Sequence, residues 1–378
     1  MQFNTSPSPF LKREQKTSHI LIILLATLLF VFIWGVSNTY HMFGINHALH
    51  AVFMLAFGSV SAVSTHYIFY FFSDIKEKKQ FDNIIQRFTS NSKKVSQGAP
   101  LITSIIIVLC MPAATPIFVV VLACVFAEFF AKLVFGGFSH NIFNPAAVGF
   151  VFALLAFGSM LNVPSLPWAD VISTATPMAY FNNVYNFRLE STHIDYYFYY
   201  FGGMLHLSLG VTPGSIGETS LIAILISMAV LTYTKVIDWV VPVFYLATIF
   251  FAAFFISSFY LDLGYSIQYG FLHVISGGAL FCAVFMSTDP VTNPINRQGR
   301  IIFAIAQGIL TLIIRINSSN IEGVAYSLLI MNMFVPTIDS FTVNQTLNNF
   351  FKKWLSIMLV FVAGVTVLVI LTIMGNPR

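Results

Sequence analysis

Between two very apolar stretches the chain carries DVISTATP, residues 170–177. Ser173, Thr174 and Thr176 place three hydroxyls close together, with Asp170 just upstream. Thr176 precedes Pro177, which disfavours a helical conformation for it. Proline in turn favours the first position of a helix. Thr176 is therefore a candidate N-cap, with unpaired backbone N–H groups of the next turn behind it. Such a place holds a phosphate well. A phosphate esterified to the Thr176 hydroxyl is the chemistry this arrangement suits, although an ordinary Thr-Pro helix start accounts for the same residues.

Five acids lie in or beside apolar runs: Glu128, Glu218, Asp289, Glu322 and Asp339. An ionisable group within a membrane is costly, which makes each a functional candidate. Glu128 and Lys132 are one helical turn apart, so i, i+4 pairing neutralises both. Glu322 near Arg315 admits the same structural reading. Asp289 precedes Pro290 where an apolar run breaks, and the exposed carbonyls of a broken helix suit a passing cation. Asp289, Glu128 and Asp339 are accordingly the candidate ion pathway. Glu218 is expected near the surface, capping the first turn of its own span. His47 and His50 are spaced i, i+3 without a carboxylate partner, and the cysteines Cys110, Cys124 and Cys282 form no CxxC, so no metal site is expected.

The elements that must position these residues are membrane helices. Hydrophobic residues make up 57% of the 378 and charged residues 8%, against about 25% charged in a soluble domain. Eleven apolar runs approach the roughly 20 residues a spanning helix needs. They fall near 19–36, 47–72, 100–112, 116–134, 145–161, 215–234, 239–258, 271–287, 300–316, 322–338 and 354–374. The first follows a long polar start and has no small-residue cleavage site after it, so it reads as a retained span. With the N-terminus inside and every run crossing, all of the eighteen lysines and arginines except Arg188, Arg315 and Arg378 fall on the inner side. The positive-inside rule favours that orientation. It places residues 162–213, with the hydroxyl cluster, outside. The basic stretch 76–94 reads as a solvated inner loop drawn to anionic lipid rather than to nucleic acid. The aromatics around the hydroxyl cluster read as an interfacial belt.

The two halves resemble each other. A proline-broken run, CMPAATP or STDPVTNP, precedes a helix that a basic residue closes, Lys132 or Arg315, and a short loop leads to the next helix. Five spans per half would invert the second copy, and inverted repeats with broken helices build a site where they meet. The expected fold is an all-α polytopic membrane protein of about ten spanning helices in two inverted five-helix repeats, with an extra C-terminal helix. Its parts are an inner N-terminal tail at 1–18, a first repeat at 19–161 with a basic inner loop at 73–99, an outer loop at 162–213, a second repeat at 214–340, and a linker and extra helix at 341–378.

DVISTATP resembles the flavinylation motif Asp-x-x-Ser/Thr-x-Ala-Thr, which Asp170, Ser173, Ala175 and Thr176 match position by position. GGFSHNIFNPAAVG (136–149), TDPV within 286–294, EGVAYSLLIMNMFVPTID (322–339) and GSIGETS (214–220) resemble signatures of one membrane family. That family holds the D subunit of the Rnf complex and the B subunit of the sodium-pumping NADH:quinone reductase, and the chain looks most like the D subunit. SHN stands where Gly-Gln-Asn is common, the interval 162–170 is short, and 354–374 extends past the usual end of the D subunit. The resemblance implies FMN joined to Thr176 by a phosphoester bond, with a flavin transferase as maturation partner. It implies electron transfer between reduced ferredoxin and NAD coupled to Na+ or H+ translocation, in a bacterial inner membrane, together with the other subunits of an Rnf-type complex. Flavin supplies the redox chemistry and the protein its position. With no nicotinamide fingerprint, the chain is not expected to catalyse alone. Whether a second, non-covalent flavin binds stays open. The alternatives are the B subunit of the quinone reductase, which usually carries a longer N-terminal extension, and a non-redox inverted-repeat transporter.

Overall fold

A computed structural model of the protein describes residues 17–76, 84–161, 163–164, 190–200, 202–218, 220–317, 323–343, 363–364 and 366–367, and every element among them is helical. Among the described residues five helices are long and apolar enough to cross a membrane, or six if one bent pair counts as a single span. The outer faces of α1 (Thr17–Phe43) and α2 (Ile45–Lys76) expose Ile22, Ile33, Phe53, Val60 and Phe72. Such a surface is compatible with lipid and not with water. Gly44, at a φ of 84°, separates the two helices. At 1.5 Å per residue α2 is about 48 Å long, well beyond a hydrocarbon core of about 30 Å.

The polar end of α2 meets α3 (Ile84–Gly98). This replaces most of the basic loop expected at 73–99. The helix is amphipathic, with Asn91 and Val95 buried against α2. Lys94 donates to Asp74 at 3.1 Å, and the Arg87 guanidinium lies 3.9 Å from the centre of the Phe71 ring. These basic groups are partly used within the fold rather than all solvated.

Two short helices end in breaks. Pro100 opens α4 (Pro100–Leu109), and the chain leaves it at Cys110. After the break come α5 (Ile117–Glu128), which runs on into a π-helical turn, Phe129–Leu133, and α6 (Pro145–Phe157). Two small helices, α7 (Ser191–Tyr200) and α8 (Gly203–Leu209), precede α9 (Leu221–Tyr233) and α10 (Val240–Ser257). The run expected as one span over 271–287 is instead bent by 60°. It comprises α11 (Leu263–Ile275) and α12 (Ala279–Phe281) with its π-helical continuation Cys282–Met286. Gly277 and Gly278, at φ values of 72° and 67°, make the bend. Only glycine takes that conformation at little cost. Then follow α13 (Arg297–Asn317) and α14 (Val324–Val343).

One packing order occurs twice. α2 packs on α4 and α5, and α5 on α6; α10 packs on α11 and α13, and α13 on α14. The two sets join where α1 meets α9 and α6 meets α14. Without a hydrophobic drive between helices in lipid, close approach depends on small residues. Gly35 of α1 is one: a methyl there would run into the Ile216 carbonyl.

Candidate functional site

The two breaks lie at the seam between the sets, and each is closed in part by the other set. In the first, the Leu109 and Met111 carbonyls accept from Gly217 N at 2.8 Å and Ile216 N at 3.1 Å. His50 Nδ1 sits 2.9 Å from the Ala113 carbonyl. In the second, Asn144 Nδ2 donates to the Met286 carbonyl at 3.1 Å, and Asn332 Nδ2 to the Thr292 carbonyl at 3.1 Å. Asn332 Oδ1 accepts from Asn144 N at 3.0 Å, tying the two asparagines together. The sequence pattern has the breaks facing each other. They share only a small cavity lined by Cys110, Cys282, Met286 and Glu218, and their polar groups are satisfied by neighbouring loops. Unpaired backbone in lipid is too costly for any other outcome.

Asn144 also caps α6, accepting from Ala147 N at 3.2 Å, with Pro145 in the first turn. The FNPA sequence is thus a cap and a cross-seam clasp at once. Asp289 accepts from Val291 N at 3.1 Å and from the Thr292 hydroxyl at 3.2 Å. Asp339 accepts from Ile295 N at 3.0 Å, fixing the loop after Asp289.

Beside this seam lies a cavity of about 560 Å3. Ile102, Ile106, Phe138 and Phe285 give it apolar walls, and Lys132, Asn144, Thr288 and Asp289 add polar groups. It brings Lys132 and Asp289, from different sets, to one space. Lys132 reaches there from a fully buried cluster. Its Nζ is 3.3 Å from both Glu128 oxygens and 3.1 Å from the Thr103 hydroxyl. The expected Glu128–Lys132 pair is therefore present. Sequence reasoning missed its third member, His66 of α2, whose Nε2 is hydrogen-bonded to Glu128 Oε2. The available signal was an ionisable residue inside an apolar run.

Ser220 is the N-cap of α9, accepting from Ala223 N at 3.2 Å. The Glu218 carboxylate lies against the backbone of Gly278 at the bend. Arg315 is fully buried and donates to the carbonyls of His273, Ser276 and Gly277 at 2.6, 3.1 and 2.7 Å, so it holds the bend. Its expected neighbour Glu322, the motif residues Asp170, Ser173, Ala175 and Thr176, and the run 354–374 apart from residues 363–364 and 366–367 lie outside the described residues. No metal-binding group of three or more His, Cys, Asp or Glu residues occurs among the described residues.

Known proteins share this sequence pattern. A family profile described as NQR2, RnfD, RnfE family matches residues 4–348. The D subunit of the Na+-translocating ferredoxin:NAD+ oxidoreductase complex of Acetobacterium woodii is 29% identical, covering 90% of this chain and 94% of its own. The D subunit of the proton-translocating complex of Clostridium ljungdahlii is 30% identical with the same coverage. The B subunit of the Na+-translocating NADH-quinone reductase of Chromohalobacter salexigens is 30% identical over 69% of this chain and 62% of its own. With the profile running through both sets of helices and the seam between them, the chain belongs to the NQR2, RnfD, RnfE family.

Proposed function

We propose that this chain is the D subunit of an Rnf-type complex, carrying electrons between ferredoxin and NAD while the complex translocates Na+ or H+. The observation that carries the reading is similarity to two D subunits over 90% of the chain. One of those relatives is named for sodium and the other for protons, so the coupling ion is left open. The B subunit of a quinone reductase is the second reading, favoured less because the similarity covers 62% of that relative. A non-redox transporter has no use for the spacing of Asp170, Ser173, Ala175 and Thr176.

In this reading FMN is joined to Thr176 by a flavin transferase, and it supplies one- and two-electron chemistry. The chain's own residues position it and work only with the other subunits. The 560 Å3 cavity fits a second, non-covalent flavin in size. Its apolar walls suit a flat aromatic ring, with the second amide N–H of Asn144 and the positive charge of Lys132 toward the ring's polar edge. Asp289 and Glu128, and Asp339 at the loop beyond, are the acids nearest an ion path. The architecture is ten spans in two inverted repeats plus a helix over 354–374, supported by the repeated packing order. The distribution of lysine and arginine supports an inner-membrane orientation with the N-terminus in the cytoplasm and the Thr176 loop outside.

The test is the intact mass and in-gel ultraviolet fluorescence of wild type and Thr176→Ala, each co-expressed with a flavin transferase. The wild type should carry one FMN and the variant none. A covalent flavin that persists in the variant removes the assignment.

A further inference from the structure

The His66–Glu128–Lys132 cluster has features that a structural ion pair does not need. All three side chains are withdrawn from solvent. Glu128 already balances Lys132, so charge neutrality does not require His66. His66 uses one ring nitrogen on Glu128, while Nδ1 is buried with no hydrogen-bond partner among the described residues. That nitrogen faces Gly98 at the end of α3. A methyl added there would sit 2.6 Å from His66 Cε1 and 2.9 Å from Nδ1. Gly98 in turn lines a second cavity, of about 840 Å3, with Tyr70, Ser92 and Lys94. The cluster thus borders that cavity, on the His66 side, and also the 560 Å3 cavity, which Lys132 lines and which adjoins the larger one along Thr17, Ala99, Ile102 and Phe138. A π-helical turn carries Lys132, and such turns concentrate at functional sites.

We propose that His66, Glu128 and Lys132 form a buried proton-loading site, filled at His66 Nδ1 from the cavity behind Gly98. The inference deepens the proposed function, because it rests on the chain belonging to an ion-translocating complex and names the ion this site holds. Loading forms one N–H bond at Nδ1 as an O–H bond of a hydronium ion reaching it through the larger cavity breaks, leaving neutral water. The imidazole becomes imidazolium, held by the Glu128 carboxylate through Nε2–H. The cluster goes from net zero to one positive charge, and no redox partner is needed. Sodium does not fit, since it requires several oxygen ligands. Here the Lys132 ammonium occupies both oxygens of the one carboxylate. Among the described residues the other titratable groups facing the cluster are Tyr70, whose ring is 6.0 Å from that of His66, and Cys124 of α5. Lys94 lies beyond, over the Tyr70 ring at 5.2 Å, and Asp289 lies across the smaller cavity.

The test is infrared difference spectroscopy of the assembled complex in membranes. Spectra are taken between two pH values on either side of neutrality, and separately with and without sodium at fixed pH. Wild type should show an imidazole protonation band that His66→Gln removes, while sodium alone produces no band in this set. Gly98→Ala keeps every titratable group and wedges a methyl against the ring. It should shift or slow the same band, which provides a reading if His66→Gln fails to assemble. Identical pH-difference spectra in wild type and both variants would overturn the proposal. A sodium-induced carboxylate band lost in Glu128→Gln would overturn it in favour of a sodium site. The measurement reads protonation and not flavin, so a failed Thr176 assignment leaves it interpretable, and its failure leaves that assignment standing.

Discussion

Replacing Asn144 by alanine tests whether the seam is held by one side chain acting in two places. The substitution removes the cap on Ala147 N and the donor to the Met286 carbonyl. A lost N-cap costs about 1 kcal/mol. A buried acceptor left without a partner costs about 1–3 kcal/mol. Together these give about 2–4 kcal/mol. Hydrogen bonds between membrane helices average only about 0.6 kcal/mol, because the unfolded chain in lipid finds other partners. Asn144 is buried against loop backbone that cannot re-pair, so the larger range applies. Its lower end is roughly a thirty-fold change in the unfolding equilibrium. The assay is reversible unfolding by sodium dodecyl sulfate in mixed micelles, with wild type, Asn144→Ala and Asn144→Ser. Serine keeps the cap but is too short to reach Met286, so it should recover about 1 kcal/mol. A loss below about 0.5 kcal/mol in the alanine variant, the size of an ordinary surface change, would refute the reasoning. So would serine behaving like alanine, which would deny the cap its share.

Gly35→Ala should destabilise by about 1–3 kcal/mol through overpacking, because the Ile216 carbonyl that the methyl meets is fixed by the neighbouring Ile216 N–H bond to Met111. The control is Gly158→Ala, where an added methyl meets nothing within 4 Å and the same unfolding assay should read no loss. Arg315→Met should prevent assembly, since it strands three buried carbonyls at about 1–3 kcal/mol each. Arg315→Lys should recover little, because a compact ammonium does not span a fork of acceptors. Native-gel yield of the complex reads both, and normal yield from Arg315→Met would show that the bend holds itself.

The long helices were legible because an apolar run the length of a bilayer has little use outside a membrane. The bend at Gly277–Gly278 was not, because a hydropathy reading weighs composition and is blind to backbone sign. The sequence 271–287 is apolar throughout and still turns by 60°. The Glu128–Lys132 pair was visible as a one-turn spacing, whereas His66 stands 62 positions away and joins it only through the packing of α2 on α5. Glu218 was read from its local position alone, and its carboxylate lies against a glycine 60 residues on. The FNPA and TDPV signatures were readable as family marks. Their physical purpose, a clasp across the seam, depends on Asn332, which lies 188 positions from Asn144.

The reciprocal closure of the breaks sets a timetable for biogenesis. The Leu109 and Met111 carbonyls leave the ribosome long before Gly217 and Ile216, their partners, are made. At about 5–20 residues per second, the first half waits roughly 5–20 s with a broken helix whose backbone lipid cannot satisfy. During that interval the break must remain in a wet or chaperoned environment, at the insertion machinery or near the bilayer surface. The second half waits less: Asn144 is already in place when Met286 arrives, and Asn332, the partner of the Thr292 carbonyl, follows 40 residues later, roughly 2–8 s. Nascent chains truncated between the two halves should therefore stay bound to the insertase, and release should coincide with synthesis of residues 215–217.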